Sequence, residues 1–440
     1  MRKQTDLTRR GFLAGAAIPL AQAAAVRRPN VLFILADQWR PQTLPSAGDP
    51  DLYAPNLAKL AAGGVHFERC YVTNPVCSPS RASLITGRFP RACSMPHNNL
   101  LMPLDQPSIA AELKRAGYAT GYIGKWHLDG EAKPGFVPPG PRRRGFDYWA
   151  AFNRGHSYYD STYYRDTDQP VQKDGFEPDY QTGLAIEFMR ANRARPFCLY
   201  VSWGPPHTPR RPPGRYARYY KPAQFRLPPN VPKDYEEKAR AGRAAYYGLC
   251  SALDDNVGRL LGALEETGAA QDTIVVFTSD HGDMLGSHGL EFKGVPYEEA
   301  ARVPLLMRYP RKLKPGRSDL LVSNVDLMPT LLGLCGAKPP AAVQGRDHSR
   351  RIVSGEGPRP ESIYCEGRTG EDGGRGEWRM AVRGTEKLVT DRDWRVTHYF
   401  DLAADPFEMQ NRAGEGARRS DLLALVREGH RRAGLREPSQ

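Results

Sequence analysis

Three apolar runs in this sequence each end in side chains that can bind a metal ion or move a proton. The runs and their polar ends are Val31–Ala36 with Asp37 and Gln38, Phe197–Trp203 with His207, and Thr273–Thr278 with Asp280 and His281. Carboxylate and amide oxygens are ligands for hard cations, and imidazole serves as a metal ligand or as an acid or base. Each strand end alone is equally consistent with a turn or a helix cap, but three together indicate a site.

The runs are apolar throughout, which is typical of strands covered on both faces of a sheet. Helical spacing of apolar residues lies between them, over Tyr246–Glu266 and, for a shorter helix, over Ile109–Ala116. Strands that alternate with helices predict an α/β sheet with helices on both faces. Because open sheets of this kind carry their sites at the carboxyl ends of strands, the three polar ends are expected to converge.

The C-terminal part of the chain has a different character. Gly355–Gly376 is rich in glycine and charge and predicts a linker or loop. Met380–Arg383 and Thr397–Phe400 predict antiparallel strands, and Asp421–Glu428 predicts a short terminal helix. These elements predict a small α+β subdomain packed on the larger one.

Cys77 stands in an unusual context, the run Cys77-Ser78-Pro79-Ser80-Arg81, which continues to Arg88. A buried, inert thiol is the ordinary interpretation of a single cysteine in an α/β protein. The whole run, however, resembles the signature of the type I sulfatase family, in which a cysteine of Cys-x-Pro-Ser-Arg is oxidised enzymatically to formylglycine. This match is far more specific than a lone cysteine.

The resemblance implies a fold and an activity. The fold would be alkaline-phosphatase-like, a large mixed α/β sheet sandwiched by helices with a smaller C-terminal α+β subdomain. The activity would be hydrolysis of sulfate esters by a formylglycine made from Cys77, which requires a formylglycine-generating enzyme as a partner. A hydrated aldehyde carries two hydroxyls, of which one attacks sulfur and the other re-forms the carbonyl to release sulfate. A serine has only one hydroxyl and would lack this route to the release of sulfate.

The resemblance also implies a calcium site. Relatives carry two metal ligands after the first strand, usually Asp-Asp, and here the pair is Asp37 and Gln38. A later strand ends in Asp-Asn or Asp-His, here Asp280 and His281, and the oxygen derived from Cys77 completes the set. Gln38 can ligate through its carbonyl oxygen, but the metal would be held less tightly because one negative charge is missing.

Further site residues follow from the same resemblance. In Gly124–His127, Lys125 would bind sulfate and the oxygen of the nucleophile, and His127 would be the base that completes the cycle. His207 would face the leaving oxygen and protonate it, and Lys293, in Phe-Lys-Gly, would be the second sulfate-binding lysine. Any one lysine or histidine on a loop is usually just solvated, and only chain order and neighbours favour these roles.

Two single residues and one segment complete the predicted site. Arg81 would pair with the oxygens of formylglycine. Asn98 lies where relatives line the pocket and is a candidate for substrate binding. Arg142–Gln169, thick with arginine, tyrosine and aspartate, either helps to shape the mouth of the substrate pocket or is an exposed insertion.

Two other functions compete with this interpretation. A phosphonate or phosphate ester hydrolase of the same superfamily would share the formylglycine and the metal residues. Such relatives tend to carry neutral residues in place of the Lys-x-His block, so Lys125 and His127 favour sulfate esters. A non-catalytic binder of sulfated glycans would need a broken nucleophile or metal set, and none is visible.

The N-terminus predicts export. Thr8–Leu13 is a twin-arginine pattern, and an apolar stretch with small residues up to Ala25 follows it. We expect a signal peptide at residues 1–25 that uses the twin-arginine export machinery, a catalytic domain at residues 26–350 and the subdomain at residues 351–440. The mature enzyme would act in the periplasm or outside a bacterial cell.

Charge and composition limit the classes of partner that this protein is expected to bind. The formal net charge is +13, which suits an anionic substrate such as a sulfated small molecule or glycan. Nucleic acid is not expected, because no zinc finger, RNA-binding aromatic signature or concentrated basic helix is present. No stable membrane anchor is expected either, because no sufficiently long apolar run occurs. The seven cysteines are scattered without CxxC pairs, so their pairing cannot be inferred.

Overall fold

The structure is a computed structural model that describes residues 28–369, 375–414 and 419–435. The signal peptide predicted at residues 1–25 lies outside these residues. Over the described ranges the strands are β1 (Asn30–Asp37), β2 (Val65–Tyr71), β3 (Ala119–Lys125), β4 (Tyr148–Phe152), β5 (Ser161–Tyr163), β6 (Val171–Lys173), β7 (Phe197–Pro206), β8 (Thr273–Ser279), β9 (Arg302–Val303), β10 (Leu305–Arg308), β11 (Gly316–Ser323), β12 (Ser362–Thr369), β13 (Arg375–Arg383), β14 (Glu386–Asp391) and β15 (Val396–Asp401).

The α-helices of the same ranges are α1 (Pro55–Ala62), α2 (Cys77–Thr86), α3 (Ile109–Arg115), α4 (Glu177–Ala191), α5 (Gly214–Tyr219), α6 (Glu236–Glu266), α7 (Glu298–Ala301), α8 (Leu327–Leu334), α9 (Ser349–Ser354) and α10 (Arg419–Arg432). The helix predicted over Tyr246–Glu266 is the last two thirds of α6, which is longer than its apolar repeat suggests.

A large mixed sheet forms the centre of the molecule. Its strand order is β11-β2-β10-β8-β1-β7-β3-β4, with β9 added beside β2. Strand β1 pairs in parallel with both β7 and β8, and β3 pairs in parallel with β7 and β4. Strand β10 runs antiparallel to β8 and β2, which makes the sheet mixed.

Helices cover both faces of this sheet. Along β1, Val31 and Phe33 lie in one apolar core, whereas Leu32 and Ile34 lie in the other. Residues of α3 and α8 belong to the first core, and residues of α1, α4 and α6 belong to the second. Because both faces are buried, the strand must be apolar at every position, as predicted.

The C-terminal subdomain is an antiparallel sheet of order β12-β13-β14-β15 with α10 packed on it. On one face, Ile363 and Met380 share an apolar cluster with Tyr71 of the large sheet. On the other face, Leu422 and Val426 of α10 are buried in a separate cluster. The fold predicted from the sequence is therefore confirmed.

The prediction of a loop over Gly355–Gly376 is wrong in part, because strand β12 lies within this segment. Glycine and charge density dominate that segment, but Ile363, Tyr364 and Cys365 are buried in its middle. The charge that looked solvated is also partly internal, since Glu366 is buried and lies 3.5 Å from Arg91. The segment is a strand because its side chains pack against residues of the large domain, Tyr71 on one face and Phe89 on the other, and composition does not reveal such contacts.

All seven cysteines lie in the described residues, where each is buried and outside any disulfide. Among the described helices, none combines the length and apolar character that a membrane crossing requires.

Candidate active site

The polar ends of β1 and β8 meet at the carboxyl edge of the large sheet. Asp37 closes β1, and the backbone N–H of Gln38 donates to Asp280 Oδ1 at 3.1 Å. The backbone N–H of His281 donates to the same oxygen at 3.0 Å. All four side chains are fully buried. Asp37 and Asp280 are 243 residues apart in the sequence, and they meet because β1 and β8 are neighbouring parallel strands.

Cys77 is the first residue of α2, whose N-terminal dipole favours a negative charge. Its Sγ lies 3.2 Å from His281 Nε2 and 3.9 Å from Asp37 Oδ1. Arg81 follows one helical turn later, so it lies on the same face of α2. Its Nε donates to Asp280 Oδ2 at 2.8 Å and its Nη2 to Asp37 Oδ2 at 3.1 Å. The spacing of the signature therefore places the cysteine and the arginine beside the same carboxylates.

The residues around Cys77 also fit a metal ion. The ligand atoms of Asp37, Cys77, Asp280 and His281 all lie within 4.8 Å of one another, and all four residues are buried. The Nδ1 of His281 lies 3.0 Å from the carbonyl oxygen of Gly282, to which it donates, so Nε2 is the nitrogen that faces the cluster, where a metal ion would take the place of its proton. Metal-binding histidines are held in this way. Two carboxylates beside it supply the oxygens that a hard cation prefers.

Gln38 lies next to this group but has other partners. Its Oε1 accepts from Lys293 Nζ at 2.9 Å, and its Nε2 donates to Asp283 Oδ2 at 2.5 Å. Asp283 in turn pairs with Arg210 at 2.6 Å. In this arrangement the amide of Gln38 positions Lys293, and only the second lone pair of its oxygen remains for a metal ion.

Lys125 closes β3 and is fully buried. Its Nζ donates to Asp37 Oδ2 at 2.5 Å and lies 3.0 Å from His156 Nε2. Two residues later, His127 has a φ of 59°, and its Nε2 lies 3.2 Å from Asn99 Oδ1. Burial, together with the charges of Lys125 and Arg81, holds the pKa of His127 well below its usual range.

His207 and Lys293 form a second pair. Lys293 Nζ lies 2.9 Å from His207 Nε2, and His207 Nδ1 lies 2.7 Å from the carbonyl oxygen of Thr208. Since that carbonyl can only accept, Nδ1 carries the proton and Nε2 accepts from the lysine. Burial and the positive charge of Lys293 hold the pKa of His207 well below its usual range.

The cations of the site control its acidic groups. Burial and the charge of Asp37 act to raise the pKa of Cys77, but Lys125, Lys293 and His281 outweigh them, so that this pKa is lowered. Burial also acts to raise the pKa of Asp37, but the surrounding cations outweigh it and hold this pKa well below the usual range. Lys125 makes the largest contribution among these cations. The site therefore stabilises negative charge at the position of Cys77.

Asn98 is half-buried and has a positioning contact. Its Oδ1 accepts from the backbone N–H of Ser78 at 2.9 Å, which ties its loop to the first turn of α2. Asn324, which directly follows β11, holds the same helix, because its Nδ2 donates to Ser80 Oγ at 2.8 Å. Both contacts help to hold Cys77 at its place on α2.

His156 was not identified from the sequence. Its ring stacks on His207 with centroids 3.8 Å apart, and its Nε2 accepts from Lys125. Strand β4 ends at Phe152, four residues earlier, so the rule of polar residues at carboxyl strand ends would have found it. The signal was hidden because arginine, tyrosine and aspartate dominate Arg142–Gln169 and the short apolar run Trp149–Phe152 was not interpreted as a strand.

A cavity of about 590 Å³ lies beside these two histidines. Arg142–Gln169 contributes much of its lining, which supports the interpretation of this segment as part of the substrate mouth. The side chains from that segment are Phe152, Arg154, His156, Ser157, Asp160 and Thr162. Lys133 and Glu177 line it as well.

Sequence comparison shows which known proteins this chain is similar to. A model of the sulfatase family matches residues 29–337, and one of the C-terminal region of N-sulphoglucosamine sulphohydrolase matches residues 286–428. An ulvan-active sulfatase of Formosa agariphila is 35% identical over 403 residues, which are 88% of this chain and 78% of that protein. An N-acetylglucosamine-6-O-sulfatase of Bacteroides thetaiotaomicron is 26% identical, over 97% of this chain and 90% of that protein.

Among solved structures, one determined in complex with its substrate D-glucosamine-2-N,6-O-disulfate has a TM-score of 0.84 at 25% identity. The match covers 93% of this chain and 98% of that one. Since the family model spans most of the chain and the relative from Formosa agariphila is similar over nearly all of it, the chain belongs to the sulfatase family and is a sulfuric ester hydrolase.

Proposed function

We propose that this enzyme removes sulfate from sulfated carbohydrates, using a formylglycine made from Cys77 and a calcium ion bound beside it. The observation that carries the proposal is the position of Cys77, at the N-terminus of α2 and between a buried pair of carboxylates and the site's lysines. Two of the relatives are named for ulvan and for N-acetylglucosamine, which supports a carbohydrate as the alcohol. The formal charge of +13 suits a polyanionic substrate.

Asp37, Asp280 and His281 would hold the calcium ion together with the oxygen that replaces the sulfur of Cys77. Bound there, the ion would polarise a sulfate oxygen and favour the ionised nucleophile. Arg81 contributes by holding both carboxylates in place, at 3.1 Å from Asp37 and 2.8 Å from Asp280.

Lys125 and Lys293 bind the sulfate group in this proposal. Both ammonium groups reach the site, because Lys125 contacts Asp37 and Lys293 contacts the neighbouring Gln38. Preorganised cations of this kind stabilise the charge that develops on the sulfate oxygens without any reorganisation during the reaction.

The two histidines move protons. His207 Nε2 lies 2.9 Å from Lys293 Nζ. To protonate the leaving oxygen, His207 would first take up a proton from solvent on Nε2, so that Lys293 keeps its positive charge. His127 is neutral in its buried position and can take up a proton. We assign the acid role to His207 and the base role to His127.

Export belongs to the same proposal. The twin-arginine pattern at Thr8–Leu13 supports transport of the folded enzyme, so that modification of Cys77 by a formylglycine-generating enzyme would precede export. The enzyme would then act in the periplasm or outside the cell.

Two measurements test the function. Mass spectrometry of the peptide that contains Cys77 should show the sulfur replaced by a carbonyl oxygen, and fully active enzyme with an unmodified cysteine would refute the mechanism. Turnover of defined sulfated sugars should exceed turnover of phenyl phosphonate. A large preference for the phosphonate would favour the phosphonate hydrolase instead, and binding without turnover across the panel would favour a glycan binder. The Cys77→Ala variant is the control, with the fold retained and turnover lost.

A further inference from the structure

The two ring nitrogens of His127 have different surroundings. Nε2 lies 3.2 Å from Asn99 Oδ1. Nδ1 is buried and has no hydrogen-bond partner among the described residues. Because burial and the nearby cations keep this ring neutral, only one nitrogen carries a proton, and the other can accept one. Which nitrogen accepts decides where the base of the reaction lies.

The side chain of Asn99 does not by itself decide this, since its amide could present either oxygen or nitrogen to the ring. Arg154 removes the ambiguity. Its Nη1 lies 2.9 Å from the same Asn99 atom, and a guanidinium can only donate hydrogen bonds. The atom between Arg154 and His127 must therefore be the oxygen. Arg154 is itself held at its other side, where Nε donates to the carbonyl oxygen of Glu131 at 2.8 Å.

An oxygen that faces both groups must receive a hydrogen bond from each. Nε2 of His127 thus carries the proton, and Nδ1 keeps its lone pair in a buried position where no described protein group occupies it. We propose that Asn99, oriented by Arg154, is a positioning residue that holds His127 in the Nε2–H tautomer and so makes Nδ1 the atom that accepts the proton. This inference rests on the base role of His127 in the proposed function.

The direct test is the ¹⁵N spectrum of the side chains of histidine-labelled, full-length enzyme, in which the His127 signal is identified by its loss in His127→Gln. We expect the wild type to show a protonated Nε2 and an unprotonated Nδ1. The opposite tautomer, or an even mixture of the two, would overturn the proposal. The ¹⁵N measurement does not depend on turnover. Its result can therefore be interpreted even if the proposed sulfatase mechanism fails.

Variants separate positioning from a general structural effect. In Arg154→Leu the amide of Asn99 is free to turn, so the tautomers of His127 should mix and kcat should fall about 10- to 100-fold, with a smaller change in KM. A carboxylate accepts in either orientation, so adding Asn99→Asp to Arg154→Leu should restore the Nε2–H tautomer. If Arg154→Leu keeps the tautomer of the wild type, or the added Asn99→Asp fails to restore it, Arg154 does not orient the amide.

Lys133→Leu is the matched control. It removes a cation from the wall of the same cavity as Arg154, but Lys133 makes no hydrogen bond to Asn99. The Nε2–H tautomer should persist in this variant, and a mixture there would show that loss of positive charge, rather than orientation of the amide, sets the tautomer.

Discussion

Lys125 Nζ lies 2.5 Å from Asp37 Oδ2, in a position where both side chains are fully excluded from solvent. The lysine therefore shares a carboxylate with the proposed metal site. A cation so close to a metal ligand opposes binding of a second cation while it stabilises an anionic substrate.

Lys125→Met should separate these two effects. We expect turnover to fall about 100- to 1,000-fold, because one preorganised cation is lost from the transition state. Affinity for calcium should rise, since the carboxylate of Asp37 no longer shares its charge with an ammonium. Steady-state kinetics and calorimetric titration with calcium measure the two quantities. Weaker calcium binding in Lys125→Met would mean that the lysine supports the metal site.

Gln38→Asp should strengthen calcium binding, because it adds a negative charge beside Asp37 and Asp280. Gln38→Asn is the matched control, with the same shorter side chain but no charge. Both variants lose the contact with Asp283, so the comparison isolates charge. Equal calcium affinities in titration of the two variants would place the residue at position 38 outside the coordination sphere.

Glu177 should make stability fall as pH rises. Burial raises the pKa of Glu177 from 4.5 to about 8, although Gln181 opposes part of this effect. The unfolded chain ionises first, so stability is fully present below pH 4.5 and is lost as pH rises toward 8, by at most about 1.4 kcal/mol per pH unit. Thermal unfolding at pH 5 and pH 8 should differ less in Glu177→Gln than in the wild type.

Glu187→Gln is the control for this measurement, since Glu187 lies on the same helix but is exposed. Its pH dependence should match that of the wild type. A wild-type slope that persists unchanged in Glu177→Gln would assign the effect to another group.

Lys387 joins the C-terminal subdomain to the large domain. It is fully buried on β14, and its Nζ lies 2.6 Å from Glu408 and 3.2 Å from Glu298, the first residue of α7. Lys387→Met should cost about 3–5 kcal/mol in the free energy of unfolding, because it leaves buried carboxylates without their cation.

Urea unfolding measures this cost, with Lys114→Met as the control. Lys114 pairs with Asp147 at 2.6 Å, but both side chains are about half exposed. Removal of that pair should cost less than about 1 kcal/mol. Similar costs for the two variants would contradict the assignment of Lys387 to a buried ionic cluster.

Residue types and their spacing along the chain were enough to predict the main strands and part of the site. The apolar runs predicted β1, β7 and β8, since strands buried on both faces must be apolar at every position. The run from Cys77 to Arg81 identified the nucleophile by its resemblance to a family signature, whereas the helix that places both residues on one face came from the structure. The polar ends of the parallel strands predicted where Asp37 and Asp280 meet. Each of these inferences depends only on residue types and on distances along the chain.

Tertiary structure alone decided the remaining contacts. The stacking of His156 on His207 joins two loops some fifty residues apart in the sequence. Nothing in the sequence marks Lys387 as buried, because the carboxylates that pair with it, Glu298 and Glu408, come from other segments. The orientation of the Asn99 amide, and with it the tautomer of His127, depends on Arg154 from another loop. Such contacts depend on how loops pack against one another, and no local pattern of residue types encodes that packing.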